Sequence, residues 1–264
     1  MNQISVLMPS IRVDKLEVVY KSLSESFHGS WELVVVGPYP LPDSLKDKNN
    51  IVFVQDWGSP IRCRQISLLK SSGEYICYAA DDVVFCQNSL DLAFEKIQGK
   101  DYKEVVVGKY LEGDNPCKSM SEDTYWFLRH HSVLNPVVDR LPHRNYMLLN
   151  TGLLSSKLLK EIGGWDCCNF EVCAMACVDL SIRLQNYGAH FVIQNEPIFT
   201  SSHLPGLIGD HAPIHNAQCD HDMPTFFNIY NNCDPSQRIK LDINNWSSSP
   251  KRWNRRFGGT ESIL

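Results

Sequence analysis

Residues 73–85 read GEYICYAADDVVF, an apolar run from Tyr75 to Ala80 that ends in two adjacent carboxylates, Asp81 and Asp82. Apolar residues resume at once with Val83, Val84 and Phe85. The run is short, bounded by Ser72-Gly73 on one side and by charge on the other, and it does not alternate. Such a segment reads as a strand buried on both faces. Three upstream segments have the same character: ISVLMPS (4–10), closing on Pro9-Ser10, WELVVVGP (31–38), stopped by Gly37-Pro38, and NIVFVQDW (50–57). Between them, Leu16, Val19, Tyr20, Leu23 and Phe27 recur at helical spacing, with Asp14 and Glu17 placed like a capping box. Gly58-Ser59-Pro60 turns the chain into a second helical stretch. Asn88 stands where it can cap a third, bearing Leu90, Phe94 and Ile97, and KEVVVGKY (103–110) is a fifth strand.

Strand and helix thus alternate through the first 110 residues. That pattern predicts an α/β fold with a mostly parallel central sheet and helices on both faces. In such sheets ligands bind beyond the carboxyl ends of the strands, and Asp81 and Asp82 fall at one such end. Residues 111–146, rich in polar and aromatic side chains and His, read as an excursion over the sheet edge. Residues 145–165 return to a strand and a helix that ends at Gly163-Gly164. A helix follows over 173–188, closed by Gly188, and a strand over 189–199. From 200 onward the chain reads as irregular.

The 264 residues are 43% hydrophobic, enough to bury a sizeable core, and carry a net charge of −5. A chain of that sign is not built as a whole for nucleic acid or an anionic membrane. No run approaches the roughly 18 apolar residues of a spanning helix, and MNQISVLMPS has no basic start followed by a long apolar stretch. Of ten cysteines, Cys77, Cys86, Cys173 and Cys177 lie within apolar segments. They read as reduced thiols of a cytoplasmic protein. Cys167-Cys168 has no second pair at zinc spacing.

Two carboxylates at a crevice repel each other. A hard cation such as Mg²⁺ or Mn²⁺ between them relieves this and bridges to substrate phosphates; a solvated Asp turn is the plain structural alternative.

The order of elements, with GSPIRCRQISLLKSSGEYICYAADDVVF (58–85), resembles the nucleotide-sugar-binding half of GT-A fold glycosyltransferases, most nearly the inverting enzymes of family 2. Arg64-Gln65 stands where that family often has Arg-Asn. Ser72-Gly73-Glu74-Tyr75-Ile76 matches its strand, and Ala80-Asp81-Asp82 stands at its acidic triplet, with Ala for the first acid. A second block, 158–188, is similar to the family's Gly-Gly-Phe-Asp stretch and its Glu-Asp-x-Asp-Leu-x-x-Arg-Leu helix. Gly163-Gly164-Trp165-Asp166, Asp179-Leu180 and Arg183-Leu184 match; Ala176-Cys177 replaces the Glu-Asp pair whose Asp is the family's usual general base.

The resemblance spans about residues 3–200. It implies a metal-dependent, inverting transfer of sugar from a nucleoside-diphosphate donor, a UDP-sugar first, to the hydroxyl of a glycan or of a hydroxylated DNA base. Residues 1–110 would form the nucleotide-sugar-binding half, 111–200 the acceptor-binding and catalytic half of the same domain, and 201–264 an extension able to act as a lid. Asp82 would hold Mn²⁺ or Mg²⁺, with Asp81 on the metal or the ribose. Pro9, Ser10 and Arg12 would contact the nucleotide, Asp56 its base or ribose, and Arg62 and Arg64 the nucleotide or diphosphate. Asp179 is the first candidate base and Glu171 the second, although Asp179 is also spaced to pair with Arg183 in one helix. In 201–222, His211 is placed to complete the metal shell, ahead of His215, with His203 and His221 nearby and a zinc set involving Asp210 or Asp220 as an alternative. KRWNRR (251–256) offers Lys251, Arg252, Arg255 and Arg256 to a nucleic acid, an anionic acceptor or a membrane surface. Two other readings stand beside this one. A nucleotidyltransferase would carry a Gly-rich loop that MPSIRVDK lacks. A sugar-nucleotide- or glycan-binding module without catalysis would suit Ala176-Cys177.

Overall fold

The computed structural model describes residues 2–112, 147–201 and 209–258. Eight strands, β1 (Ile4–Pro9), β2 (Trp31–Gly37), β3 (Ile51–Gln55), β4 (Tyr75–Tyr78), β5 (Val83–Phe85), β6 (Glu104–Glu112), β7 (Gly152–Ser155) and β8 (His190–Ser201), form one sheet in the order β3-β2-β1-β4-β7-β6-β8-β5. The first four of that order are parallel. β7 runs antiparallel between β4 and β6, β6 and β8 are parallel, and β5 is antiparallel at the edge. The expected α/β, mostly parallel sheet is therefore the fold.

Side chains alternate across the sheet as the pleat requires. Ile4, Val6, Met8, Leu33 and Val35 enter one core, beneath α1 (Leu16–Ser26) and, past α2 (Asp43–Lys46) and α3 (Pro60–Lys70), α4 (Ser89–Ile97). Leu7, Val34, Ile76 and Tyr78 enter the other, with α3, α5 (Ser156–Glu161) and α6 (Cys173–Asn186). Both faces are covered, which is why the strands read as continuous apolar runs. Among the described residues no helix is long and apolar enough to cross a membrane.

Three local expectations change. Asp14 and Glu17 form no capping box. Residues Val13–Lys15 make a 3₁₀ turn, α1 starts without a side-chain cap, and Glu17 instead accepts a hydrogen bond from Ser44. Asn88 does precede its helix, but in the left-handed region (φ 58°) with no side-chain cap; its carbonyl accepts from Leu92. The segment beyond 208 is not irregular. α7 (Ala212–Ala217) passes through a π-helical turn (Gln218–Asp222) into α8 (Met223–Asn232), and Phe226 and Tyr230 are fully buried in the second core. Pro213 sits in the first turn of α7, where a missing N–H costs nothing, and Pro224 comes directly after the π-helical turn, in the first turn of α8. A short helix, α9 (Asn254–Phe257), lies near the end of the chain. Of the excursion expected over 111–146, residues 111 and 112 end β6; the remainder, like His203, lies outside the described residues.

The order β3-β2-β1-β4 reverses direction between β1 and β4. At such a switch point the two flanking loops diverge and leave a crevice. Gly37 lets the β1 and β2 ends approach: a Cβ there would sit 1.8 Å from the Ser10 carbonyl oxygen.

Candidate active site

A cavity of about 330 Å³ opens at this switch point, walled by the carboxyl ends of β1, β2 and β4 and by the start of α3. Pro9, Ser10, Arg12, Arg64, Asp81, Asp82 and His211, seven residues singled out in the sequence, line it together.

Asp81 is buried and its oxygens are occupied. One accepts from Ser10 Oγ (3.2 Å) and from the backbone N–H groups of Ile11 and Arg12 (2.8 Å each); the other pairs with Arg12 Nη1 at 2.5 Å. This carboxylate ties the loop after β4 to the loop after β1. Asp82, also buried, has Arg12 as its partner, with Nη1 at 3.5 Å from Oδ2. The same guanidinium reaches His211: Nη2 lies 2.8 Å from Nε2. A guanidinium only donates, so Nε2 accepts and the ring proton of a neutral His211 sits on Nδ1.

The residues expected to hold Mn²⁺ or Mg²⁺ do not fit a divalent ion as they stand. Asp81 Oδ2 is committed to three protein donors and Oδ1 to the Arg12 guanidinium, and the His211 lone pair that a metal would need is taken by Arg12. An ion between Asp82 and His211 would also share its space with a permanent cation. Two unit charges 4 Å apart interact by about 4 kcal/mol near a protein surface, and a divalent ion doubles that repulsion. Among the described residues no group of three or more His, Cys, Asp or Glu side chains is arranged to hold a metal. His215 faces Cys219 (3.6 Å), and His221 pairs with Asp222 (2.9 Å), so neither joins the cavity.

On the other side of the cavity Arg64 is buried to 5% exposure. Its guanidinium lies over the rings of Tyr78 (4.7 Å) and Trp165 (5.6 Å). Nε has no hydrogen-bond partner, Nη1 meets only the Cys177 sulfur at 3.8 Å, and no carboxylate among the described residues pairs with it. Gln65, next in sequence, is structural. Its amide accepts from Trp165 N and donates to the carbonyls of Gly163 and Ile243. Cys177, where the resemblance places the general base, does line the cavity. Burial, reinforced by Cys173 next to it, pushes its thiol up to about 12, so at neutral pH it keeps its proton.

Four expected site residues lie elsewhere. Asp179 has no solvent exposure and does not line the cavity; it accepts from Arg183 Nε (2.7 Å), Tyr230 OH (2.9 Å) and Arg238 Nε (2.6 Å). Burial alone would raise its pKa, but Arg183 and Arg238 outweigh that and hold it below the usual carboxylate range. Glu171 accepts from Trp253 Nε1 (2.9 Å) and Arg255 Nε (2.6 Å) and also stays outside the cavity lining. Asp56 and Arg62 pair with each other, and Arg62 further donates to the carbonyls of Trp246 and Ser249. They anchor residues 246–249 and do not line the cavity.

The run KRWNRR turns inward. Arg255 meets Glu171, Arg252 donates to the carbonyls of Phe257 and Gly258 and covers the Trp57 ring, and Lys251 is exposed. Trp253, Arg256 and Phe257 line the cavity. Sequence reading missed this roof; its signal was Trp253 inside the basic run and Phe257 directly after it, four residues apart. The Cys167-Cys168 thiols donate to Asn245, a structural role.

Among solved structures, Staphylococcus aureus TarS 1-349 in complex with UDP-GlcNAc is similar to this chain at TM-score 0.59 and 14% identity, over 92% of this chain and 69% of that one. Its complex with UDP gives TM-score 0.55 and 14% identity over 92% and 68%. A further TarS structure gives 0.53 and 14% over 85% of this chain and 43% of that one, so the chain spans less than half of its length. No protein-family model matches the chain, and no curated protein matches it. At this identity the likeness shows the fold alone, an α/β architecture that this chain shares with TarS.

Proposed function

We propose that this chain is a glycosyltransferase that moves a sugar from a UDP-sugar to a hydroxyl acceptor on a glycan. The observation that carries this reading is Arg64: a buried guanidinium on the cavity wall that no acid among the described residues pairs with. Burying an unpaired charge is costly, and a diphosphate supplies the missing partner with matching geometry. Arg12 and Arg256 line the same cavity. The TarS structures, which share the fold, include complexes with UDP and UDP-GlcNAc.

In the proposed reaction the bond from the sugar C1 to the β-phosphate oxygen breaks, and its electron pair leaves on UDP. The acceptor oxygen forms the new bond to C1. Its proton passes to Asp82, which of the two cavity aspartates has the fewer protein donors, Arg12 at 3.5 Å against four contacts on Asp81. Attack from the opposite face inverts the anomeric centre. Asp179 and Glu171 hold the scaffold instead, Asp179 inside the core and Glu171 at the roof.

Cys177 favours a second reading, a sugar-nucleotide-binding module without turnover, because its protonated thiol is a poor base where the resemblance calls for a carboxylate. Calorimetric titration with UDP and UDP-sugars, followed by assay of UDP release, separates the two. Binding with release upheld by Asp82 and lost in Asp82→Asn supports transfer. Binding without release under any acceptor supports the module. Failure of every nucleoside diphosphate to bind overturns both.

A further inference from the structure

We infer that the guanidinium of Arg12 stands in for the divalent cation in this site, so that a nucleoside diphosphate binds and departs without metal. The inference rests on the donor reading above and departs from the metal dependence that the resemblance implies. Its first support is position. Arg12 bridges Asp81, Asp82 and His211, the side chains that a metal would have to use. The guanidinium is held there by more than its own charge. The Arg12 backbone N–H donates to Asp81, and the side chain is only 18% exposed.

The second support is charge. The charged side chains among the described residues lining the cavity are Arg12, Arg64 and Arg256 against Asp81 and Asp82. Of these acids, Asp81 is already neutralised by backbone N–H groups and by Arg12. Among the described lining residues three arginines thus face two aspartates, and a diphosphate meets guanidinium donors beside the carboxylates. A guanidinium binds phosphate oxygens through its fork and cannot lose its proton at any working pH. It can stabilise the charge that gathers on the departing diphosphate, as a metal would. Asp82, freed of ligand duty, is left to orient Arg12 and to take the acceptor proton.

The test is UDP affinity by calorimetry, which needs no turnover. The wild-type protein is titrated with UDP in EDTA and again in Mn²⁺. The expected result is that the two affinities agree within about threefold. Arg12→Met should then lose affinity in EDTA by about tenfold or more. Arg12→Lys, which keeps the charge and loses the fork, should fall between the two and covers the case in which Arg12→Met does not fold. UDP binding by the wild type only in Mn²⁺ overturns the inference and leaves the donor reading standing. Undiminished binding by folded Arg12→Met in EDTA also overturns it. Absence of UDP binding in both buffers overturns the inference and the donor reading together.

Discussion

Arg64 and Arg183 are both buried arginines facing the same core, one on α3 and one on α6. Arg183 is fully served: Nε pairs with Asp179, and Nη1 and Nη2 donate to the carbonyls of Ile162 and Gly164. Arg64 lies on two aromatic rings with an orphaned Nε and a thiol for company. The difference separates a charge closed within the protein from one whose Nε has no partner among the described residues, the one that the proposed function assigns to the donor diphosphate. The resemblance motif groups Asp179 and Arg183 with the catalytic block, yet the geometry puts them in the scaffold.

The largest expected effect comes from opening the closed pair. Asp179→Asn leaves Arg183 and Arg238 without their shared carboxylate and should cost about 3–5 kcal/mol of stability, read by urea unfolding. UDP affinity of the folded fraction should hold. A variant that keeps its stability but loses turnover would return Asp179 to the chemistry.

Next in size is the open arginine. Arg64→Met should lower UDP affinity by about 10- to 100-fold, the value of a charge-assisted contact of roughly 1.5–3 kcal/mol. Its unfolding midpoint should stay level or rise, because an unpaired buried charge is replaced by an apolar chain of similar length. A loss of stability comparable to Asp179→Asn would erase the distinction between the two arginines.

Cys177→Asp should turn Arg64 into a second Arg183 by giving it a carboxylate. The expectation is a gain of about 1 kcal/mol in stability and a fall of about tenfold in UDP affinity. If UDP binding tightens instead, Arg64 does not meet the diphosphate.

The smallest effect is in acid, where two buried aspartates respond in opposite directions. Asp179 has a depressed pKa, so its contribution is present above the unfolded value of about 3.9 and is lost as pH falls through the lower folded value. Asp222 is raised by burial, against hydrogen bonds from His221 and from the N–H groups of Glu171 and Val172. Its ionised form is therefore penalised in the fold, and the penalty is relieved as pH falls from its raised value towards about 3.9. Wild type relative to Asp222→Asn should gain stability over that window, by about 1 kcal/mol or less. A flat difference across the window would show that Asp222 titrates alike in both states.

The sheet was legible because both its faces are covered: ISVLMP and WELVVVG have no polar alternation to confuse with a helix face. The site was legible as a place, since Asp81 and Asp82 follow β4 at the switch point. Their separate duties were not. Two adjacent aspartates look alike in sequence, and what distinguishes them is a set of donors at residues 10–12, some 70 positions away. Asp179 shows the same limit. Its partner Arg183 is visible four residues on, but Tyr230 and Arg238 lie 51 and 59 residues downstream. The inward turn of KRWNRR depends on Glu171, which no local pattern links to it.

The roof formed by Trp253, Arg256 and Phe257 over strands drawn from the first 85 residues has a consequence for the order in which the protein is made. Translation delivers β1 to β4 and the carboxylates long before the residues that close over them. A chain still on the ribosome can assemble its parallel strands, but the cavity gains its last wall only after residue 257 has cleared the exit tunnel. The Glu171 contacts to Trp253 and Arg255 then act as the latch that fastens this late-arriving roof to a middle stretch of the chain that is already in place.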